Sequence, residues 1–241
     1  MKTNATAFLS VTGFLAFILF SCSSVQVQNN QLTEKEKQDG WISLFDGKSM
    51  DGWHLYNKGK VSSAWEVKEE ALYCNPQSDS GHGDLISDEM FENFDLTFEW
   101  KMPADGNSGV FVNVLEKDSI PAAWFSGPEY QLLGNDHPDY ALDTKRAGCL
   151  YGFSAQQNAA ATKPPEEWNQ SRIKQVNGKI EFYLNGALTA TEDFKSQAWL
   201  DKISESGFKS LPEFGKHTKG HIALQDWAKG ISFRNIKIKK L

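Results

Sequence analysis

The sequence predicts an all-β protein, a single domain built as a sandwich of two antiparallel sheets. Three observations carry that expectation. "NFDLTFEWKM" (93–102) sets Phe94, Leu96, Phe98, Trp100 and Met102 against Asp95, Thr97, Glu99 and Lys101, the period-two pattern of a half-buried strand. Asn-Gly pairs at 177–178 and 185–186 each lie between β-rich runs, and Asn-Gly suits tight hairpins because both turn residues need positive φ. Strand-like runs recur at short spacing with glycine-rich turns, helix patterning is scarce, and no linker, repeat or low-complexity block divides the body.

At the N-terminus one basic residue, Lys2, precedes the apolar run 7–20, which is too short for a full membrane span and ends in Leu19-Phe20-Ser21-Cys22. Residues 1–21 therefore read as a secretory signal. Leu-x-Ser-Cys resembles the bacterial lipoprotein lipobox, which implies lipidation of Cys22 and a cell-envelope location; the alternative is a plain secretory signal. Residues 22–40 are expected to form a polar tether, with a short acidic-basic helix near 33–39, and residues 41–241 the globular body.

Within the body, a turn at 104–107 separates 93–102 from a second strand, "SGVFVNVL" (108–115). In "GPEYQLLGNDHPD" (127–139), Tyr130 and Leu132 alternate with Glu129 and Gln131, and His137 follows the strand end. The segment 171–193 is a three-strand meander, 196–204 a two-turn helix capped by Ser196, and 221–227 and 231–239 are closing strands. The long loops 116–128 and 134–147 exceed simple turns, a length common for specificity-bearing segments.

Composition narrows the function. Of 241 residues 40% are hydrophobic and 8 are Trp, enough for a sizeable core with aromatics to spare. A net charge of −6 with no basic stripe argues against nucleic acid as a partner. After export, Cys74 and Cys149 are free either to pair or to remain as buried thiols. There is no metal-ligand spacing, phosphate loop, Gly-x-Ser-x-Gly elbow or Cys-x-x-Cys, and no obvious carboxylate pair for conventional glycoside hydrolysis.

What stands out is polar residues on strands otherwise committed to packing. Glu129 and Gln131 share a face; Asn113 shares one with Phe111, opposite Val110, Val112 and Val114; Arg172 precedes Ile173 on its strand, and Gln225 and Trp227 alternate with Leu224 and Asp226. Such residues could line a trough in which aromatic faces meet sugar rings and amides meet hydroxyls. Trp124, in the "AAWFSG" loop, is the stacking candidate, whereas Asn107 and Gly109 read as a turn entering a strand.

Seven segments then occur in the order of one family: "WISLFDGKSMDGW" (41–53), "NSGVFV" (107–112), "GPEYQLL" (127–133), "LYGF" (150–153), "KPPEEWN" (163–169), "GHIALQDW" (220–227) and "FRNIKIKKL" (233–241). Over 41–241 the chain resembles the 3-keto-disaccharide hydrolase domain family, widespread in Bacteroidota lipoproteins. The resemblance implies a concanavalin-A-like jelly roll, a carbohydrate site on a concave face, and cleavage of glycosides already oxidised to a ketone at C3.

That chemistry accounts for the missing carboxylate pair. A C3 ketone acidifies the C2 proton, the resulting enolate expels the C1 group, and water adds back. The route needs a base at C2, a stabiliser for the C3 oxygen and an acid for the leaving group. Glu129 or His137 is expected as base, Lys163 as the group polarising the ketone, Tyr151 as acid, and Gln131, Asn113, Trp124, Arg172, Gln225 and Trp227 as substrate contacts. No cofactor is demanded; a divalent cation near Glu129, Asp136 and Asp139 is conceivable through oxygen ligands. Two departures stand against the family pattern: Trp227 where histidine is common, and Asn113 where arginine is common. They leave open a non-catalytic glycan-binding module and, behind it, a conventional glycosidase.

Overall fold

The structure is a computed structural model and describes residues 1–2 and 28–241. Cys22 and the signal segment lie outside the described residues. Two antiparallel sheets face one another. The first holds β1 (Trp41–Ser43), β3 (Trp65–Lys68), β4 (Ala71–Cys74), β6 (Phe94–Lys101), β9 (Asn169–Val176), β10 (Lys179–Leu184), β11 (Ala187–Asp193) and β13 (Ile231–Lys240), ordered β11-β10-β9-β6-β13-β4-β3 with β1 also on β13. The second holds β2 (Trp53–Leu55), β5 (Leu85–Phe91), β7 (Asn107–Val114), β8 (Glu129–Leu133) and β12 (Gly220–Leu224), ordered β2-β5-β12-β7-β8. The all-β sandwich expected from alternation is the fold observed.

Alternation is obeyed where burial is one-sided. Phe94, Leu96, Phe98 and Trp100 of β6 are all buried, facing Val110, Val112, Tyr130 and Leu132 of the second sheet in one core cluster. Tyr130 anchors the two sheets to each other: its ring meets Phe98 and Phe182 edge-on, and its hydroxyl bonds Ser171 Oγ at 2.7 Å and the Tyr183 carbonyl at 2.9 Å. Both Asn-Gly hairpins form, with φ of 52° and 82° at Asn177-Gly178 and of 47° and 88° at Asn185-Gly186. The helix α2 (Gln197–Glu205) is capped by Ser196 as expected, and buries Trp199.

Two features differ from the sequence expectation. Residues 30–40 are fixed on the body by polar contacts instead of running free. Asn30 accepts from the Asn235 amide at 2.8 Å and donates its own amide to Asn235 Oδ1 at 2.6 Å, while α1 (Glu34–Gln38) carries a capping box and a Glu36–Lys237 ion pair at 2.8 Å. A tether poor in apolar residues can still dock when its amides complete a neighbouring strand irregularity. Of the two outcomes left open for Cys74 and Cys149, the structure shows buried free thiols.

The second difference corrects the reading of Asn113. It adopts φ of 58°, at an irregularity in the β7–β12 pairing, so its side chain turns inward and its amide donates to Gln175 Oε1 at 2.7 Å. Val114 then joins Phe111 on the outward face, beside Ile86 and Ala223. One residue at a bulge reverses strand parity. Asn113 is a core polar link between sheets and not a substrate contact.

Candidate active site

β8 positions the site. Its odd residues Glu129 and Gln131 face outward from the second sheet, while Tyr130 and Leu132 face the core. The outward residues are nevertheless covered. The segment 148–151 pairs along the free edge of β8, with Gly148 and Tyr151 amides donating to the Gln131 and Glu129 carbonyls at 2.8 and 3.0 Å. This closes an edge that would otherwise be open and carries Tyr151 over the strand.

The result is a cavity of about 320 Å³. Glu129, Gln131 and Asn107 form part of its wall, Gln225 another part, and Tyr151, Asp139 and Phe208 close it, with Trp124 and Trp227 at the rim. The two indoles are the exposed members, at 41% and 56%, which leaves ring faces available for stacking. Glu129, Gln131 and Gln225 are all buried, yet one oxygen of each, Oε1 in every case, has no hydrogen-bond partner. An unpartnered buried acceptor costs about 1–3 kcal/mol, so three around one cavity describe a site that a hydroxyl-bearing ligand would complete.

Glu129 owes its place to Gly109. A Cβ on residue 109 would lie 2.0 Å from Glu129 Oε1, so only glycine leaves room for the carboxyl. Gln131 is oriented by donating its amide to Asn107 Oδ1 at 3.1 Å. Burial, and secondarily the charge of Asp84, raises the Glu129 carboxyl well above its ordinary 4.5. Asp84 is itself pushed up to about 6, chiefly by burial, although its Oδ1 accepts the Asp226 amide at 3.1 Å.

These shifts give a stability prediction. A carboxyl whose pKa is raised by folding stabilises most below its unfolded value and progressively less as pH climbs through its folded value. For Asp84 that window runs from 3.8 to about 6. Thermal unfolding should show part of the wild-type fall in Tm across that range disappear in Asp84→Asn. Parallel Tm-against-pH curves for the two proteins would remove Asp84 as its source.

Six expected site residues thus converge: Glu129, Gln131, Tyr151, Trp124, Gln225 and Trp227. Besides Asn113, three others do not. His137 sits behind the wall, its Nδ1 accepting the Asp139 amide at 3.1 Å and its Nε2 lying 3.4 Å from Asn107 Nδ2, so it braces Asn107 and Asp139 and does not line the cavity. Lys163 is exposed on a separate cleft with Asn135 and Asp136. Arg172 belongs to the other sheet, where it forks onto Asp95 with two bonds of 2.6 Å. Asp136 shares the Lys163 cleft, so Glu129, Asp136 and Asp139 do not gather around one cation.

Sequence reasoning missed Asn107, Gly109, Phe208 and Asp84 as parts of the site. For Asn107 and Gly109 a signal existed, since both share the strand parity of Phe111. Asp139, considered only as a cation ligand, lines the cavity and is paired with Lys145 at 3.0 Å, and Lys145 also lies 5.4 Å from the Tyr151 ring centroid. Phe208 and Asp84 had no local signal, because loop closure and cross-strand proximity bring them there.

A sugar is what buried oxygens beneath an indole rim can hold, and the relatives agree: the protein is a glycosidase-type hydrolase. It belongs to the 3-keto-alpha-glucoside-1,2-lyase-like domain family, whose model matches residues 40–239. A 3-keto-disaccharide hydrolase of Bacteroides thetaiotaomicron is 32% identical over 232 residues, covering 84% of this chain and 79% of that protein. A provisionally assigned glycosyl hydrolase from Parabacteroides distasonis superposes with a TM-score of 0.81 at 31% identity, over 89% of this chain and 100% of that one. A second such protein from the same species gives 0.62 at 25% identity, over 83% and 99%. A galectin-like protein of unknown function from Bacillus subtilis, with a TM-score of 0.51 at 11% identity over 89% and 95%, shares the fold alone.

Proposed function

We propose that the enzyme cleaves 3-keto-glycosides, 3-keto-disaccharides among them, by elimination and rehydration. The observation that carries this reading is a buried glutamate, free of any cationic partner among the described residues, whose Oε1 is one of three unpartnered oxygens on residues lining one cavity. The name of the Bacteroides relative supports the substrate class.

In this mechanism the Glu129 carboxylate removes the C2 proton, and the C2–H electrons delocalise into the C3 carbonyl as an enolate. Collapse of the enolate forms the C1–C2 double bond and breaks C1–O, with Tyr151 protonating the departing oxygen. Water then adds its oxygen to C1 and gives one proton back to the Tyr151 phenolate, while C2 regains a proton from Glu129. A raised pKa makes Glu129 a stronger base than an exposed carboxylate, matched to a proton the ketone has acidified. The unpartnered Oε1 acceptors of Gln131 and Gln225 take hydroxyl donors of the sugar, and Trp124 and Trp227 stack on it at the mouth. His137 and Lys163 take no step.

The test is turnover of a 3-keto-disaccharide beside its unoxidised parent. Release of the ketosugar from the first and nothing from the second is expected. Binding of both without cleavage of either would replace the enzyme with a glycan-binding module. Cleavage of the parent alone would make it a conventional glycosidase.

We also place the protein in the cell envelope, anchored by lipid on Cys22, because its lipobox-like Leu19-Phe20-Ser21-Cys22 directly follows the apolar run. Labelled fatty acid should enter the wild type and not Cys22→Ala; equal or no labelling of both would reject the anchor.

A further inference from the structure

We infer that Cys74, His82 and Asp226 form a binding site for one zinc-class cation, beside the active cavity but outside it. Their ligand atoms, one per residue, all lie within 4.8 Å of one another. The three come from different parts of the fold. Cys74 ends β4 in the first sheet, His82 stands on the loop leading to β5, and Asp226 follows β12 in the second sheet. Nothing in the elimination chemistry uses any of them, and none lines the cavity.

The donor set selects the ion. A thiolate, an imidazole and a carboxylate together suit zinc or a similar transition metal, whereas magnesium and calcium want oxygen alone. Around zinc, bonds of about 2.0–2.3 Å place tetrahedral donors about 3.3–3.8 Å apart, inside the 4.8 Å that bounds the three atoms, and side-chain rotation can supply the adjustment. The His82 and Asp226 atoms are already adjacent, Nδ1 to Oδ2 at 2.7 Å, with a proton between them. The other carboxylate oxygen, Oδ1, accepts the Ala228 amide at 2.8 Å, and Oδ2 also accepts the Gly83 amide at 3.0 Å. Those backbone donors fix the carboxylate in the way outer-shell partners orient a metal ligand. Cys74 and the Asp226 side chain are buried, while His82 is exposed, so an ion has an entry side and a solvent-facing fourth position.

Binding balances without redox chemistry. The Cys74 S–H bond breaks, its proton goes to solvent, and a sulfur–metal bond forms. His82 moves its proton from Nδ1 to Nε2 and offers the Nδ1 pair to the metal; Asp226 Oδ2 gives up that hydrogen bond and binds the metal instead. One proton leaves per ion. Metal-free, the thiol keeps its proton firmly, because burial and then the Asp226 charge push its pKa up, so affinity should rise with pH.

The bound ion would join the two sheets at the end where the cavity opens. Asp226 lies between Gln225 and Trp227 in the chain, and its amide donates to Asp84, whose charge acts on Glu129. The ion would therefore brace a wall of the active cavity.

Zinc titration of the purified chain, followed by Tm and elemental analysis, tests this without measuring activity. One zinc per chain is expected after dialysis, with a Tm that rises with zinc concentration as for any ligand of the folded state. Cobalt in its place should show a thiolate charge-transfer absorption that is absent in Cys74→Val. His82→Ala, at an exposed position where the fold is not at risk, should weaken zinc binding by more than about 100-fold, beyond the loss of a mere outer-shell partner. The inference is overturned if zinc leaves Tm unchanged, or if His82→Ala binds as tightly as the wild type. Failure here leaves the turnover test untouched, since no step of the elimination runs through these residues.

Discussion

Glu129→Gln should lower kcat by about 10²–10⁴-fold, the loss expected when a positioned general base is removed. The amide keeps the shape of the side chain and can still hydrogen-bond a hydroxyl, so KM should change little. Stability should not fall. Glu129 Oε1 is an unpartnered buried atom in the wild type, and burial already disfavours the charged carboxyl, so a neutral isostere relieves that conflict. The measurement is kcat and KM alongside Tm. Retained turnover would dismiss Glu129 as the base, and a collapse of Tm would make its role structural.

Gly109→Ala should be nearly as damaging by a different route. The new Cβ would lie 2.0 Å from Glu129 Oε1, 2.7 Å from Cδ and 2.8 Å from Cγ, so the whole carboxyl must leave its place. Gly109 is not among the positive-φ residues, so alanine imposes no backbone strain and the clash is with Glu129 itself. Loss of at least about 10²-fold in kcat is expected from the displaced base, with about 1–3 kcal/mol of stability lost to overpacking. Adding Glu129→Ala should return stability without returning activity. Gly81→Ala, where nothing lies within 4 Å, is the neutral control. If Gly109→Ala turns over at the wild-type rate, the carboxyl position seen here is not the catalytic one.

Both predictions rest on one strand pair whose content was half legible beforehand. Alternation in 127–133 correctly put Glu129 and Gln131 on one face, because β8 has no irregularity to change parity. The same logic failed on β7 at Asn113, where positive φ turned a supposed surface residue inward. It failed differently for Arg172. The residue does stand on the non-core face of its strand, but in the other sheet and bound to Asp95. Period two names a face and says nothing about which sheet owns it. Lys163 and His137 had only loop position and chemical suitability behind them, and the loops carry both away from the cavity wall.

By itself the chain determined its architecture: alternation, Asn-Gly turns and a helix cap are local, and each acts on residues within a few positions of itself. Family membership was legible for a related reason, since ordered segments survive as strings. The composition of the cavity was decided only by the tertiary structure. Burial and then the Asp84 charge raise Glu129, Gly109 makes room across a strand pair, and Phe208 arrives from beyond α2. Electrostatic and steric contacts fall off with distance in space, and a sandwich places residues more than a hundred positions apart within a few ångströms.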